Sequence, residues 1–176
     1  MRPDILNPLF AEIRAQKGVG PSLAKPLERL GLERVKDVLY HFPNSWTYRK
    51  AVSCLDFADV GNNIILTVTV LDHRGGSSPR APLRIFAADS GGNYITLTFF
   101  GRNGGWARKQ LPVGEQRIIS GKLDRYGDEL QMVHPDHVVP IGSDASPGLA
   151  EPICPLSDGL TNKRMGQLAA ASLQDV

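Results

Sequence analysis

No stretch of this sequence stays apolar for the roughly 18–20 residues that a membrane-crossing helix requires. The opening Met1-Arg-Pro-Asp-Ile-Leu-Asn-Pro8 has neither the apolar core nor the small-residue cleavage site of a secretory signal. Cysteine is scarce: Cys54 and Cys154 stand alone with no C-x-x-C, so neither a disulfide framework nor a zinc knuckle is signalled. A triphosphate cradle of the G-x-x-x-x-G-K-[ST] kind is missing. Gly121-Lys122 is followed by Leu123, and Gln116 stands where the first glycine belongs. His134-Pro-Asp-His137 is an isolated histidine pair with no further ligands at metal-site spacing, which suits solvated or capping residues at a strand end. A cysteine with a distant histidine occurs in many proteins and does not point to nucleophilic catalysis. Together these absences predict no catalytic residues, no metal and no cofactor in this chain, no membrane, and a cytoplasmic address by default.

At 176 residues the chain is one ordinary domain, or one domain with small attachments. Hydrophobic residues make up 41% and charged residues 22%, enough to bury a core and unlike a disordered polymer. Net charge is only +2, but it is segregated. Residues 1–50 carry +4 and residues 74–111 carry +5, the latter from Arg74, Arg80, Arg84, Arg102, Arg108 and Lys109 against Asp89 alone. Two basic regions in an otherwise acidic chain suit a polyanion, and chance clustering of solvated side chains gives the same count.

Along the chain, Ile5, Leu9 and Ile13 recur at a spacing of four, with Leu6 and Phe10 beside them, which predicts a short amphipathic helix. Lys17-Gly-Val-Gly-Pro21 breaks it. A second helix is expected from Ser22, as N-cap, through Leu30, with Gly31 ending it in a left-handed conformation. A third carries Val35, Val38, Leu39 and Phe42 on one face and stops at Pro43. From Asn63 the period falls to two. Strands are predicted over Ile64–Leu71, Leu83–Asp89, Tyr94–Phe100, Glu115–Arg125 and Glu129–Val133. His73–Arg80 reads as a loop, Ser90-Gly-Gly-Asn93 as a tight hairpin and Tyr126-Gly-Asp128 as a turn. Three strands, a connector with room for a helix, then two more strands fit a mainly β fold. The five-stranded Greek-key OB-type barrel is one barrel with that order, and other small barrels share the count. Residues 141–150 read as a linker, after which Thr161 caps a helix over Asn162–Leu173. The expected division is a helical cap at 1–50, the barrel at 51–140, and a linker with a C-terminal helix at 141–176.

Two stretches carry binding chemistry. Lys17-Gly-Val-Gly-Pro-Ser-Leu-Ala24 looks like a helix-hairpin-helix turn. There Gly18 and Gly20 let the backbone approach a phosphate, helix N-terminal amides face the anion, and Lys17 and Lys25 add charge. A plain structural turn fits the same letters. The connector Gly101-Arg-Asn-Gly-Gly-Trp-Ala-Arg-Lys-Gln110 holds three cations, one Trp and no acid. Phe100 and Trp106 are the candidate stackers on unstacked bases; Arg102, Arg108 and Lys109 are the candidate phosphate partners. Period-two alternation puts Phe99 and Phe100 on opposite faces, so one of the two belongs to the core and the other needs a different use.

Lys17-Gly-Val-Gly-Pro21, Leu30-Gly-Leu, Val38-Leu-Tyr-His-Phe-Pro43, Leu97-Thr-Phe-Phe100, Ser120-Gly-Lys122, Leu130-Gln-Met-Val-His-Pro135 and Cys154-Pro-Leu-Ser-Asp-Gly-Leu160 follow one another along the chain. In that order they resemble the N-terminal region of the RecG-type ATP-dependent DNA helicases, over almost the full length. The resemblance implies a wedge domain, an OB barrel that binds branched DNA at the strand junction, ahead of a motor that uses ATP and magnesium. It also implies aromatics that stack where the arms of a fork part: Phe100 follows the family's Phe-Phe pair, and Trp106 falls where the family shows an aromatic. Two departures stand out. Tyr48 replaces the acid that the family has before Arg49, which puts a local salt bridge there in doubt, and Cys154 replaces an aromatic. Motor motifs are absent.

The resemblance implies binding to a replication fork or four-way (Holliday) junction in fork regression, recombination and DNA repair. It further implies a monomer, with the motor in cis when present, in a bacterial, nucleoid-associated setting. Two rival readings are a stand-alone single-stranded nucleic-acid-binding OB module and a protein-interaction adaptor that uses the barrel groove.

Overall fold

The computed structural model describes residues 3–76 and 81–174, without the side chain of Arg102. Of the predicted His73–Arg80 loop, His73–Gly75 instead continue a strand paired to residues 83–85, and residues 77–80 lie outside the described residues. In chain order the regular elements are α1 (Pro21–Arg29), α2 (Val35–Leu39), β1 (Ser45–Tyr48), β2 (Lys50–Ala51), β3 (Asn63–Gly75), β4 (Leu83–Ala88) and β5 (Tyr94–Phe99). There follow α3 (Gly104–Gln110), β6 (Gln116–Lys122), β7 (Asp124–Tyr126), β8 (Glu129–Val133), β9 (His137–Pro140), β10 (Ala150–Ile153) and α4 (Asn162–Gln174). None of the helices is long and apolar enough to cross a membrane, among the described residues. The fold is mainly β with a few short helices. The chain forms two compact units: one joins Met1–Trp46 to Pro152–Val176, the other is Thr47–Glu151. The terminal segments, set apart as 1–50 and 141–176 on composition, therefore contribute to one unit.

In the first unit the predicted N-terminal amphipathic helix is absent. Asp4–Leu6, Pro8–Phe10 and Ile13–Ala15 are single 3₁₀ turns instead. Pro8 is the reason, since it lacks the N–H for an α-helical bond and its ring clashes with the carbonyl four residues back. Ile5, counted on the helix's apolar face, is 79% exposed. The segment runs extended near Glu12, where the Ile13 amide donates to the Glu33 carbonyl (2.8 Å) and Val35 donates to Ala11 (3.1 Å). Helix α1 starts two residues earlier than expected, with Gly20 as N-cap and Pro21 at the first helical position, so Ser22 is not the cap. Gly31, at φ +72°, ends it as predicted, with Leu32 N–H reaching back to Leu27. Helix α2 is only five residues long, and Phe42 lies beyond it, exposed rather than on its apolar face. Thr161 caps α4: its hydroxyl accepts from the Arg164 amide at 3.2 Å. Met165 and Leu168 of α4 share one core with Ile13, Leu27, Leu32, Val35, Val38 and Leu160.

In the second unit the strands pair in the order β7-β8-β5-β4-β3-β6-β9, with β2 parallel to β3. Ladders β3–β4, β4–β5, β3–β6 and β7–β8 are antiparallel, and β5–β8 is parallel. The hydrogen-bonded path is open, with β7 and β9 at its ends, rather than a closed five-stranded ring. Only the buried Leu123 separates β6 from β7. Strands β1, β2, β9 and β10 were not signalled by the sequence, because two to four residues are too few for alternation to register. The core holds one face of each long strand: Ile64, Leu66, Val68 and Val70 of β3, Leu83, Ile85 and Ala87 of β4, Ile95, Leu97 and Phe99 of β5. Gly121 of β6 gives Met132 room, since a Cβ there would lie 2.8 Å from the Met132 sulfur and that side chain would have to shift.

Two buried polar contacts fix this unit. Arg49, with only 2% of its side chain exposed, pairs with Glu151 at 2.5 Å, so the missing acid at Tyr48 is answered by one 102 residues away. Asp89 closes the β4–β5 hairpin. Its carboxylate accepts from the amides of Leu55 (2.6 Å), Gly91 (2.8 Å) and Asn93 (2.9 Å) and from the Asn93 side chain (2.9 Å). Burial alone would raise this carboxyl, but the four hydrogen bonds outweigh it and hold the group below its ordinary value of 3.8. A carboxyl lower in the folded than in the unfolded chain adds stability that is complete above the unfolded value and lost as pH falls through the folded one. Asp89→Asn is expected to lower unfolding stability at pH 7 by about 2–4 kcal/mol. It should also flatten the loss of stability between about pH 5 and pH 3. Urea unfolding at both pH values measures each effect, and an unchanged acid slope in the variant would assign that slope to other carboxyls.

Candidate nucleic-acid interface

Strand β5 ends on Phe99 pointing inward, 2% exposed, so the next residue, Phe100, points out and is 50% exposed. Gly101, at φ +67°, turns the chain into a 3₁₀ turn at Gly101–Asn103 and then into α3. Buried Ala107 and Leu111 seat that connector on the sheet's core. Trp106, on the same helix, is also 50% exposed. Its ring lies edge-on to Phe99, with centroids 6.4 Å apart. The ring of His134 meets Phe99 at 6.1 Å and Phe100 at 5.8 Å. The four rings therefore form a file, Trp106–Phe99–His134–Phe100, in which Phe99 is core and the two ends are half open to solvent. Edge-to-face pairs of this kind add about 0.5–1.5 kcal/mol beyond burial and hold each ring's direction.

His134, expected only as a solvated or capping residue at a strand end, organises one end of the file. It is the one non-glycine residue with positive φ (+48°) among the described residues. Its amide donates to the Thr98 carbonyl (2.9 Å), and its Nε2 accepts from the Phe100 amide (3.3 Å). Through this contact the imidazole pins the backbone of Phe100. No periodicity announces such a contact, because it joins residues 34 apart through a single backbone N–H.

The cations divide. The Arg108 guanidinium donates to the Gly75 carbonyl at 2.5 Å and faces His73 Nδ1 at 3.5 Å, while His73 Nε2–H donates to the Leu111 carbonyl at 2.6 Å. Arg108 therefore ties α3 to the end of β3 with part of its donor set. Gly75 must be glycine there, since a Cβ would lie 2.5 Å from the Pro82 carbonyl oxygen. Lys109 is exposed, and the side chain of Arg102 lies outside the described residues.

The predicted helix-hairpin-helix turn belongs to the other compact unit. Gly18 takes φ +92°, and its carbonyl accepts from Arg164 (2.9 Å), a cation on α4 that the motif does not contain. Lys17 and Arg164 line a small hollow of about 60 Å³ beside Gly18. Gly20 caps α1, but Pro21 removes the first helical N–H, and Leu23 and Ala24 both donate to the Gly20 carbonyl. The turn thus offers an anion fewer amides than its glycines suggested, and its positive charge comes from Lys17, Lys25 and Arg164. No group of three or more His, Cys, Asp or Glu is placed to hold a metal among the described residues.

The two phenylalanines give opposite outcomes from one chemistry. Phe99→Ala is expected to cost about 3–5 kcal/mol in denaturant unfolding, and Phe100→Ala under about 1 kcal/mol. Comparable losses for both would mean that Phe100 is packed rather than presented.

The family model of the RecG wedge domain matches residues 12–176. The chain is 29% identical over 131 residues to the ATP-dependent DNA helicase RecG of Aquifex aeolicus, covering 74% of this chain and 16% of that protein. It is 26% identical over 168 residues to the ATP-dependent DNA helicase RecG of Acidithiobacillus ferridurans, covering 94% and 24%. The chain therefore spans less than a quarter of either relative. A solved structure of RecG bound to a three-way DNA junction superposes with a TM-score of 0.73 at 21% identity, over 96% of this chain and 22% of that one, a likeness of fold.

Proposed function

This chain belongs to the RecG wedge domain family, and on that premise we propose that it binds branched DNA, a replication fork or four-way junction, where the strands part. The observation that carries the proposal is the ring file: two half-exposed aromatic faces, Trp106 held directly by the buried Phe99 and Phe100 held through His134. Bases at a junction have lost a stacking neighbour, and an aromatic face replaces it at about 1–3 kcal/mol per base. Lys109, Arg102 and the free donors of Arg108 would neutralise phosphates beside the rings, and Lys17, Gly18, Gly20 and Lys25 would contribute a sequence-independent backbone contact.

The sheet reads as an OB-type barrel. Its support is the β3-β4-β5 meander, the helix after it, the return of β6 onto β3 and the parallel placing of β8 on β5. In a longer protein carrying an ATP- and magnesium-dependent motor, translocation along duplex DNA would draw the arms against the rings. That action suits fork regression, recombination and repair by a monomer in a bacterial cytoplasm. The isolated chain would hold forks and hydrolyse no ATP.

Fork affinity is expected to fall steeply with salt: roughly three or four phosphate contacts would cost about 40- to 150-fold between 50 and 200 mM. A flat response over that range removes the electrostatic part. Trp106→Ala and Phe100→Ala should each weaken fork binding by about 1–3 kcal/mol and plain duplex binding far less. Equal losses on fork and duplex, read by fluorescence anisotropy, would rule out stacking at the junction, and preference for a linear single strand over a fork would favour a single-strand module.

A further inference from the structure

We propose that Arg74 and Arg84 form a phosphate subsite for an unpaired nucleic-acid strand, in a groove that begins at Phe100 and crosses the outer face of the sheet. The proposal rests on the junction reading for where the strand comes from, but the groove itself is independent of it. The groove has a volume of about 480 Å³, and its walls include Arg74, Arg84, Phe86, Phe100, Tyr126 and Gln131.

Strand register builds it. Arg74 of β3 lies directly opposite Arg84 of β4, which lies opposite Thr98 of β5, which lies opposite Val133 of β8. One step along, Asp72, Phe86, Thr96 and Gln131 make a second row. Four strands at about 4.8 Å spacing make these rows roughly 14 Å long. The opposite face of the same strands is the core, so every side chain in the rows is directed outward by alternation.

Like charges directly opposite each other on neighbouring strands destabilise a sheet. Arg74 is partly answered: its Nε donates to Asp72 at 2.9 Å, and its guanidinium lies 4.8 Å over the Phe86 ring. That hydrogen bond, with one from the His73 amide, holds the exposed Asp72 carboxyl below its ordinary range. Arg84 has no acid partner among the described residues. An unrelieved arginine facing a second arginine, beside three aromatic rings, is the composition of a groove that tracks a single strand: cations for phosphates, ring faces for bases. An anion between the two guanidiniums would convert a repulsion into two charge-assisted contacts. A duplex has no free base faces to offer the exposed rings of Phe100 and Tyr126. Glu129, at the far wall beside Tyr126, repels phosphate and sets the end of the path.

The sequence counted Arg74 and Arg84 only as charge, since nothing in their spacing shows that a ten-residue separation closes to direct opposition.

The test uses the full chain with three probes: a short oligothymidylate, a fork with one single-stranded arm, and a fork whose arms are all duplex. Arg84→Gln is expected to weaken the first two by about five- to tenfold and the third by less than twofold. It should also reduce the slope of log affinity against log salt on the oligothymidylate by about 0.7, the value for one phosphate contact on a single strand. The midpoint of thermal unfolding should stay the same or rise, because a repulsion is removed. Arg84→Lys should recover most of the salt slope. Unchanged oligothymidylate affinity, an equal loss on all three probes, or a drop in unfolding midpoint that tracks the loss of binding each overturns the subsite. If the unaltered chain shows no preference for forks while Arg84→Gln still lowers oligothymidylate binding, the junction reading fails and the subsite stands. If forks are preferred and Arg84→Gln changes nothing, the reverse holds.

Discussion

The burial of Phe99 is the constraint on which the candidate surface depends. Because a strand alternates, a phenylalanine locked into the core forces its successor outward, and Phe100 has no choice of face. The same ring supports Trp106 on one side and His134 on the other. A side chain that serves both core and surface gives the exposed rings a stiffness that a loop alone would not supply. Stiff rings lose little conformational freedom when a ligand settles on them, so more of each stacking contact appears as affinity.

Charge is distributed by a second logic, in which much of the basic character counted along the chain is used inside the fold. Arg49 is buried against Glu151, and Lys50 reaches the buried Asp59 at 2.6 Å. Arg117 caps carbonyls of Gln110 and Gln116, and Arg108 holds the carbonyl of Gly75. A buried arginine pair of this sort contributes little net stability, but removing one partner leaves an uncompensated charge at high cost. The cations left to face a polyanion are fewer than the segment charges imply, and they lie on particular strand faces.

What was legible in the sequence was local. The alternation of β3, β4 and β5, the hairpin at Ser90–Asn93, the Gly31 terminator and the Thr161 cap each arise from neighbours a few residues apart, and each appears where expected. Alternation also told that only one of Phe99 and Phe100 is core. Failures came where a single residue overrode a pattern, as Pro8 did in breaking the first helix into turns. They came also where contacts are long in sequence: His134 with Phe100, Arg164 with Gly18, Arg74 with Arg84 and Glu151 with Arg49. Spacing rules carry no information about partners 100 residues away. Strands β1, β2, β9 and β10 escaped because two to four residues are too few for alternation to register.

The interleaving of the two compact units sets the order in which this chain can mature. The helical unit draws Ile13 and Leu27 from one end and Met165 and Leu168 from the other, with residues Thr47–Glu151 between them. During synthesis the first 46 residues must therefore wait, with half an apolar core uncovered, until more than a hundred further residues have left the ribosome. The intervening unit meets no such delay, because its long ladders are all internal to it. Once it is compact, the gap that the waiting segments have to close is no longer that of a loose loop of over a hundred residues, and the entropy of closing it falls accordingly. The β-rich unit thus sets the span that the helical segments must close, and a chain released early would carry a complete sheet and an unfinished helical core.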